Sequence, residues 1–388
     1  MNVAAASYAS TDATKRSLAP DLARGFMLLA IAIAHAPAFI ADFDRGPAAL
    51  NAAAEFCKHL LADNQARTLF VLLFGYGLGQ LAERHLSRGG DWTDVRRLLR
   101  RRGWWLLVIG FLHAALLVTL DIIAAYGATL LLFAALVRTR DAVLMWTAAL
   151  TLVPATLMVA WQGMVALTLA ADGTPMTLAE FMADDYLTHV VTNAAPWPLD
   201  TLVSVVAVVP GMLFGIWAAR RRYLDEPERH TALLRRVAVI GIAASLTGRL
   251  PATLLHTGLW TTDSTPLAWA AMTAHTLAGN AGGIAIAAAI GLAAIPLARR
   301  PGPVTTALAA LGQRSLTFYL FQSVVFVALF YPFTLDLSAD MGIAATYGIA
   351  IATWLLSVAL ADWMRRTGNR GPTESILRRL TYGRSPSR

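Results

Sequence analysis

Blocks of arginine separate long apolar runs in this chain, and they recur at every second gap between the runs. This alternation limits the fold more than any other feature. Loops rich in Lys and Arg stay on the cytoplasmic side of a bilayer, and apolar runs of about 20 residues are long enough to cross it. The pattern predicts an all-α, polytopic membrane helix bundle. Composition agrees: 57% of the 388 residues are hydrophobic and 14% charged, with a mean hydropathy of +0.55, more apolar than a soluble domain. In a soluble chain the net charge of +8 would point to nucleic acid. Here the arginines sit between spanning runs, which excludes nucleic acid and makes anionic lipid headgroups the expected partner beside the bilayer itself.

Apolar runs fall near residues 20–41, 67–82, 103–120, 122–137, 142–168, 201–219, 237–256, 267–297, 304–331 and 343–361. About ten transmembrane helices are expected, the longest of them tilted or broken. An even number of crossings puts both termini on one side. Of the 32 Lys and Arg, 28 then fall inside and 4 outside, whereas the 24 Asp and Glu divide 11 to 13, which makes the termini cytoplasmic. The expected organisation is a polar tail over 1–17, one transmembrane domain over 18–383 and a short tail over 384–388. The first run reads as a retained helix rather than a signal peptide, because Arg24 interrupts its start. The stretch 171–200 reads as an outer lid or interfacial helix. With Cys57 as the single cysteine, no internal disulfide and no thiol-rich metal site is expected.

An ionisable side chain within hydrocarbon must pair, snorkel or line an aqueous cavity. Asp21 and Arg24, three apart, can pair at the start of the first helix. His35, His113, Asp121, Arg249, His256 and His275 all map to the outer half, which suggests one water-filled pocket, with separate interhelical hydrogen bonds as the plainer reading of any one of them. Arg67 opens the second helix, and Gly75-x-x-x-Gly79 reads as small-residue helix packing. At the start of the ninth run, after Arg314, residues Ser315, Tyr319 and Gln322 share one polar face by their i, i+4, i+7 spacing.

Several stretches resemble the YeiB-like family of bacterial membrane proteins, the domain of unknown function 418. They are Asp21-Leu-Ala-Arg-Gly-Phe-Met, Arg67-Thr-Leu-Phe-Val-Leu-Leu-Phe-Gly-Tyr-Gly, Gly110-Phe-Leu-His-Ala with Asp121-Ile-Ile-Ala-Ala-Tyr, Gly312-Gln-Arg-Ser-Leu-Thr-Phe-Tyr-Leu-Phe-Gln-Ser, and the tail Gly371-Pro-Thr-Glu-Ser-Ile-Leu-Arg-Arg-Leu-Thr-Tyr-Gly. The resemblance implies a bacterial inner-membrane location. The first-helix motif is also similar to that of transmembrane acyltransferases, among them the heparan glucosaminide acetyltransferase and the bacterial sugar O-acyltransferases. His35 stands at the spacing of the histidine in the sugar enzymes, where many YeiB-like members carry asparagine.

That wider similarity implies transfer of an acyl group from a cytoplasmic thioester to an extracytoplasmic hydroxyl or amine on a glycan or lipid. His113 or His35 would be base or nucleophile, with Asp121 orienting it. Arg24, Arg67, Arg314, Tyr319 and Gln322, with the cluster Arg100, Arg101 and Arg102, are the candidate contacts for the donor, with acyl-CoA as donor substrate and no bound cofactor or metal. A transporter of a small polar solute, using the same histidines as a proton relay, and a non-catalytic membrane scaffold remain the alternatives.

Overall fold

A computed structural model describes residues 17–43, 45–172 and 177–383. The expected tails at 384–388 and over all but the last residue of 1–17 lie outside the described residues. Every regular element described is helical.

The α-helices in chain order are α1 (Leu18–His35), α2 (Ala48–Cys57), α3 (Gln65–Leu86), α4 (Trp92–Leu116), α5 (Ile123–Phe133), α6 (Asp141–Ala171), α7 (Tyr186–Ala194), α8 (Trp197–Arg220), α9 (Thr231–His256), α10 (Thr265–Arg299), α11 (Pro303–Gln313), α12 (Ser315–Phe330), α13 (Ile343–Arg366) and α14 (Pro372–Tyr382). Below, the end of the bundle at which α1 finishes is called upper and the opposite end lower.

Among the described residues six helices are long and apolar enough to cross a membrane: α1 with its following 3-10 turn, α6, α8, α9 with the turn before it, α10 and α13. The bent pair α11 and α12 would make a seventh. Helices α3 and α4 span 22 and 25 residues but carry charged turns, among them the Arg100–Arg102 cluster. α5 is short, with 11 residues before a 3-10 turn of 5.

Nine of the ten expected runs coincide with helices, and the ninth is divided. The chain turns by 84° between α11 and α12, at Arg314. Packing supplies the reason. α11 lies against the start of α1 so closely that a Cβ on Gly312 would come within 1.8 Å of the Asp21 carbonyl oxygen. α12 then starts afresh, with Glu374 of α14 accepting its early amides, Leu316 N–H at 2.8 Å and Thr317 N–H at 3.0 Å. The stretch read as an outer lid contains α7, which sits on the upper end with Tyr186 donating to the Leu116 carbonyl at 3.2 Å.

Small residues set the helix contacts. A Cβ on Gly75 would stand 2.1 Å from the Met212 carbonyl oxygen, and one on Gly79 would stand 2.6 Å from the Ala219 Cβ, so the Gly75-x-x-x-Gly79 face is where α3 packs on α8. The interior is a continuous apolar cluster running through α1, α3, α4, α5, α8 and α12, with Met27, Leu28, Leu69, Tyr76, Leu106, Met212, Leu213 and Phe318 at its centre. Many large apolar side chains face outward, including Trp146, Leu150, Trp161, Ile240 and Leu355. In water such a surface would aggregate, and in lipid it is the solvated one.

Candidate functional site

Near the upper end, α4 and α5 are joined by a turn that carries Asp121. Its carboxylate accepts the first two amides of α5, Ile123 N–H on Oδ1 at 3.1 Å and Ala124 N–H on Oδ2 at 2.7 Å. The helix N-terminus therefore holds the acid in place. Gly110 allows the approach: a Cβ there would meet the Ala124 nitrogen at 2.3 Å.

His113, on the last turns of α4, places Nδ1 2.9 Å from Asp121 Oδ1. Its Nε2 lies 2.8 Å from Ser323 Oγ on α12. Both Asp121 oxygens act as acceptors for backbone amides, so the ring atom facing them, Nδ1, is the donor and Nε2 is the acceptor for the serine hydroxyl. The result is an Asp–His–Ser chain whose histidine is 3% exposed and whose serine is 9% exposed. The same three roles, orienting acid, base and hydroxyl, recur in acyl-transfer enzymes on unrelated folds.

Aromatic groups enclose the chain. The Tyr319 ring centroid lies 5.2 Å from that of His113, and its hydroxyl donates to the Leu120 carbonyl at 2.9 Å. Phe70 stacks on Tyr319 at 6.0 Å and Phe74 on Tyr126 at 4.1 Å. The Tyr126 hydroxyl is buried with no hydrogen-bond partner and lies close enough to feel the charge of Asp121. A small cleft opens on the Asp121 end, lined by Thr119, Asn193, Asp200, Thr201 and Ser204 among others.

The candidates from the sequence separate into groups. His113, Asp121 and Tyr319 come together, and His35 lies within electrostatic range of His113. Gln322 donates to the Leu28 carbonyl at 3.1 Å, tying α12 to α1. Arg24 sits lower on α1, paired with Asp21 at 3.2 Å; it is eleven positions from His35, about 16 Å along the helix. Arg314 marks the lower break, where it bonds the Asn369 and Ala310 carbonyls. Arg67 lies elsewhere at the upper end, donating to Asn64 Oδ1 at 2.8 Å.

The six polar groups grouped by depth divide likewise. His113 and Asp121, with His35 beside them, form one set. Arg249 and His275 join the His59 carbonyl in another, and His256 stacks on the His59 ring at 4.6 Å.

Sequence reasoning passed over Ser323, Tyr126 and the loop residues Asp63 and Asn64, and weighed His59 only as a weak metal pair with Cys57. Ser323 had a signal, since it follows Tyr319 by one helical turn and so extends the polar face already counted.

The family model described as "Protein of unknown function (DUF418)" matches residues 218–384. Similarity to known proteins covers more of the chain. Uncharacterized protein YxaH of Bacillus subtilis (strain 168) is 26% identical over 355 residues, 85% of this chain and 82% of YxaH. Uncharacterized protein YeiB of Escherichia coli (strain K12) is 27% identical over 333 residues, 81% of this chain and 80% of YeiB. The family model on the C-terminal part and the two relatives aligned along most of the length together support a YeiB-like DUF418 family for this chain.

Proposed function

We propose that the protein is a membrane acyltransferase, on the strength of one observation: Asp121, His113 and Ser323 stand in a hydrogen-bonded line inside the bundle. In this reading Ser323 Oγ attacks the carbonyl carbon of an acyl thioester while His113 Nε2 takes the hydroxyl proton. The carbon–sulfur bond breaks, the proton passes from His113 to the leaving thiolate, and the acyl group remains as an ester on Ser323. A hydroxyl or amine of a glycan or lipid then attacks that ester. His113 takes the acceptor's proton and returns it to Ser323 as the ester breaks. Asp121 keeps the imidazole in the tautomer that both steps need and balances the imidazolium in between.

The topology goes with the chemistry. Ten crossings of a bacterial inner membrane, with α5 and the α11–α12 pair each counted once, leave both termini and the lower end in the cytoplasm. Arg24, Arg314 and Arg100–Arg102 then meet the donor phosphates of acyl-CoA and the anionic headgroups, with Arg67, Tyr319 and Gln322 lining the upper part of the donor path. His35 sits beside His113 as a second base. The cleft at Asp121 faces the acceptor. What supports this reading is the arrangement of side chains, together with the resemblance of the first-helix motif to that of transmembrane acyltransferases.

The test uses the full chain in nanodiscs, incubated with acetyl-CoA and longer acyl-CoAs and followed by mass of the denatured protein. An acyl increment is expected on the peptide containing Ser323, lost in Ser323→Ala and reduced at least about 100-fold in rate in His113→Ala. Equal labelling of the folded Ser323→Ala variant, or no labelling of the wild-type chain by any donor, overturns it.

A further inference from the structure

Arg249 is fully buried, at 0% exposure, on the upper part of α9. A guanidinium in such a place needs acceptors for five N–H groups and a counter-charge. The surrounding hydrogen bonds fix how many it has. Arg67 donates to Asn64 Oδ1, so the Asn64 amide nitrogen is the atom 3.2 Å from His275 Nδ1. His275 Nδ1 is then an acceptor and Nε2 carries the proton, which it donates to the His59 carbonyl at 3.0 Å. The 3.5 Å approach of Arg249 Nε to that same Nε2 therefore sets one N–H against another. Nη2 donates to the His59 carbonyl, and Nη1 has no partner.

The counter-charge is shared and indirect: Asp63 is near enough to act on both Arg249 and Arg67 but makes its close contacts elsewhere. Glu55 and Asp63 are the acids at this corner, and both are engaged. Asp63 Oδ2 receives Lys58 Nζ at 3.2 Å and lies 2.8 Å from His59 Nδ1, and His59 Nε2 lies 4.0 Å from Glu55. Arg67 and Arg249 are left without an ion pair among the described residues. The turn Lys58–Ala62 lies over Arg249 as a cover. It is a π-type turn, followed by Asn64 at φ 59°, a left-handed conformation that asparagine tolerates. It seats on α10 only because Gly279 is bare, since a Cβ there would stand 2.7 Å from the Asn64 Cβ.

We infer that this corner, with Arg249 and Arg67 under the 58–64 turn and Lys58 on it, binds a phosphate group presented at the upper face of the bundle. Unsatisfied guanidinium N–H groups, a second arginine and a nearby ammonium suit a multiply charged oxyanion. The inference takes Arg67 from the donor path proposed above but no residue of the Asp121–His113–Ser323 line, and the Arg249 and Lys58 variants test it without reference to acyl transfer. The phosphate can be that of a phospholipid or of a free ion, and the two sources are separable.

The experiment takes the full chain purified in a mild detergent. Native mass spectrometry reads retained phospholipid, and thermal unfolding is followed with inorganic phosphate against chloride of equal ionic strength. Phospholipid retained by the wild type and lost in Arg249→Gln assigns the site to a headgroup. A rise in Tm with phosphate that is absent in Arg249→Gln assigns it to the free ion. Either supports the inference, with binding about tenfold or more weaker in the variant. If Arg249→Gln does not fold, Lys58→Gln and Arg67→Gln, both of partly exposed residues, are read instead, and each is expected to weaken binding several-fold. No retained phospholipid together with no phosphate-dependent rise in the wild type overturns it, and so does binding that the variants leave unchanged.

Discussion

Asp121 lies eight residues beyond His113 and on the far side of a helix reversal, yet its Oδ1 is 2.9 Å from the His113 ring. The same carboxylate holds the start of α5, so one side chain does two separable things.

Substitution can pull those two apart. Asparagine caps a helix about as well as aspartate, so Asp121→Asn should unfold within about 0.5 kcal/mol of the wild type. Its amide cannot hold the imidazole in the required tautomer, and acyl transfer should fall by about 10⁴. Asp121→Ala should lose the activity and about 1 kcal/mol of stability as well. Thermal unfolding and a transfer assay on the two variants check this. Equal activity of Asp121→Asn and the wild type would remove the acid from the mechanism.

The Tyr126 hydroxyl is buried, unpartnered and close to Asp121. An unpaired donor costs stability, so Tyr126→Phe should leave the Tm unchanged or raise it. If the hydroxyl stabilises the oxygen that gains charge during transfer, the same variant should slow the reaction about 100-fold. A variant that is both as stable and as fast as the wild type would leave the hydroxyl without a catalytic part.

Helix α3 meets α8 through glycines, and the cost of filling them can be ranked. Gly75→Ala or Gly215→Ala would drive a methyl to within 2.1 or 2.2 Å of a backbone oxygen, and each should destabilise the bundle by about 1–3 kcal/mol. Gly348 in α13 has nothing within 4 Å of the added carbon, so Gly348→Ala should be neutral or stabilising by about 0.5–1 kcal/mol. Detergent-solubilised Tm values for the three variants decide it.

Much of the helical architecture was open to reading from the chain alone, because apolar run length is a one-dimensional property. The break at Arg314 was hidden, since the run 304–331 is apolar throughout and the bend arises from Gly312 lying on Asp21 in another helix. Helix α14 was hidden for the opposite reason: its arginines read as loop charge, and its role appears only when Glu374 is seen on α12. His113 and Asp121 were legible as polar groups in an apolar setting. Ser323 was not, because a serine within a membrane helix has a ready partner in the carbonyl one turn back, and Ser323 does lie 3.5 Å from that of Tyr319. The Arg249 corner needed the 58–64 turn folded back over α9, which no helical periodicity encodes.

Acid titration offers a check on the 58–64 turn, outside the spanning helices. Burial by itself would push the Asp63 carboxyl up, but Lys58 and His59 beside it hold it well below the usual carboxylate range. A carboxyl depressed in the folded state contributes stability that is fully present above its unfolded value, about 3.8, and lost as pH falls towards the folded one. Hydrogen exchange of the turn should therefore be unchanged by this group between pH 7 and 5 and should rise only below about pH 4. Asp63→Asn should raise exchange at neutral pH.

Glu374 accepts from Leu316, 58 positions earlier in the chain. A ribosome delivers α12 to the membrane long before it makes the residue that completes the start of that helix. Ser323, two turns further along α12, thus rests on a support that arrives last, with α13 already threaded. Chains halted before Pro372 would carry all the spanning helices and still lack a settled α12, so assembly of the interior line is tied to finished synthesis.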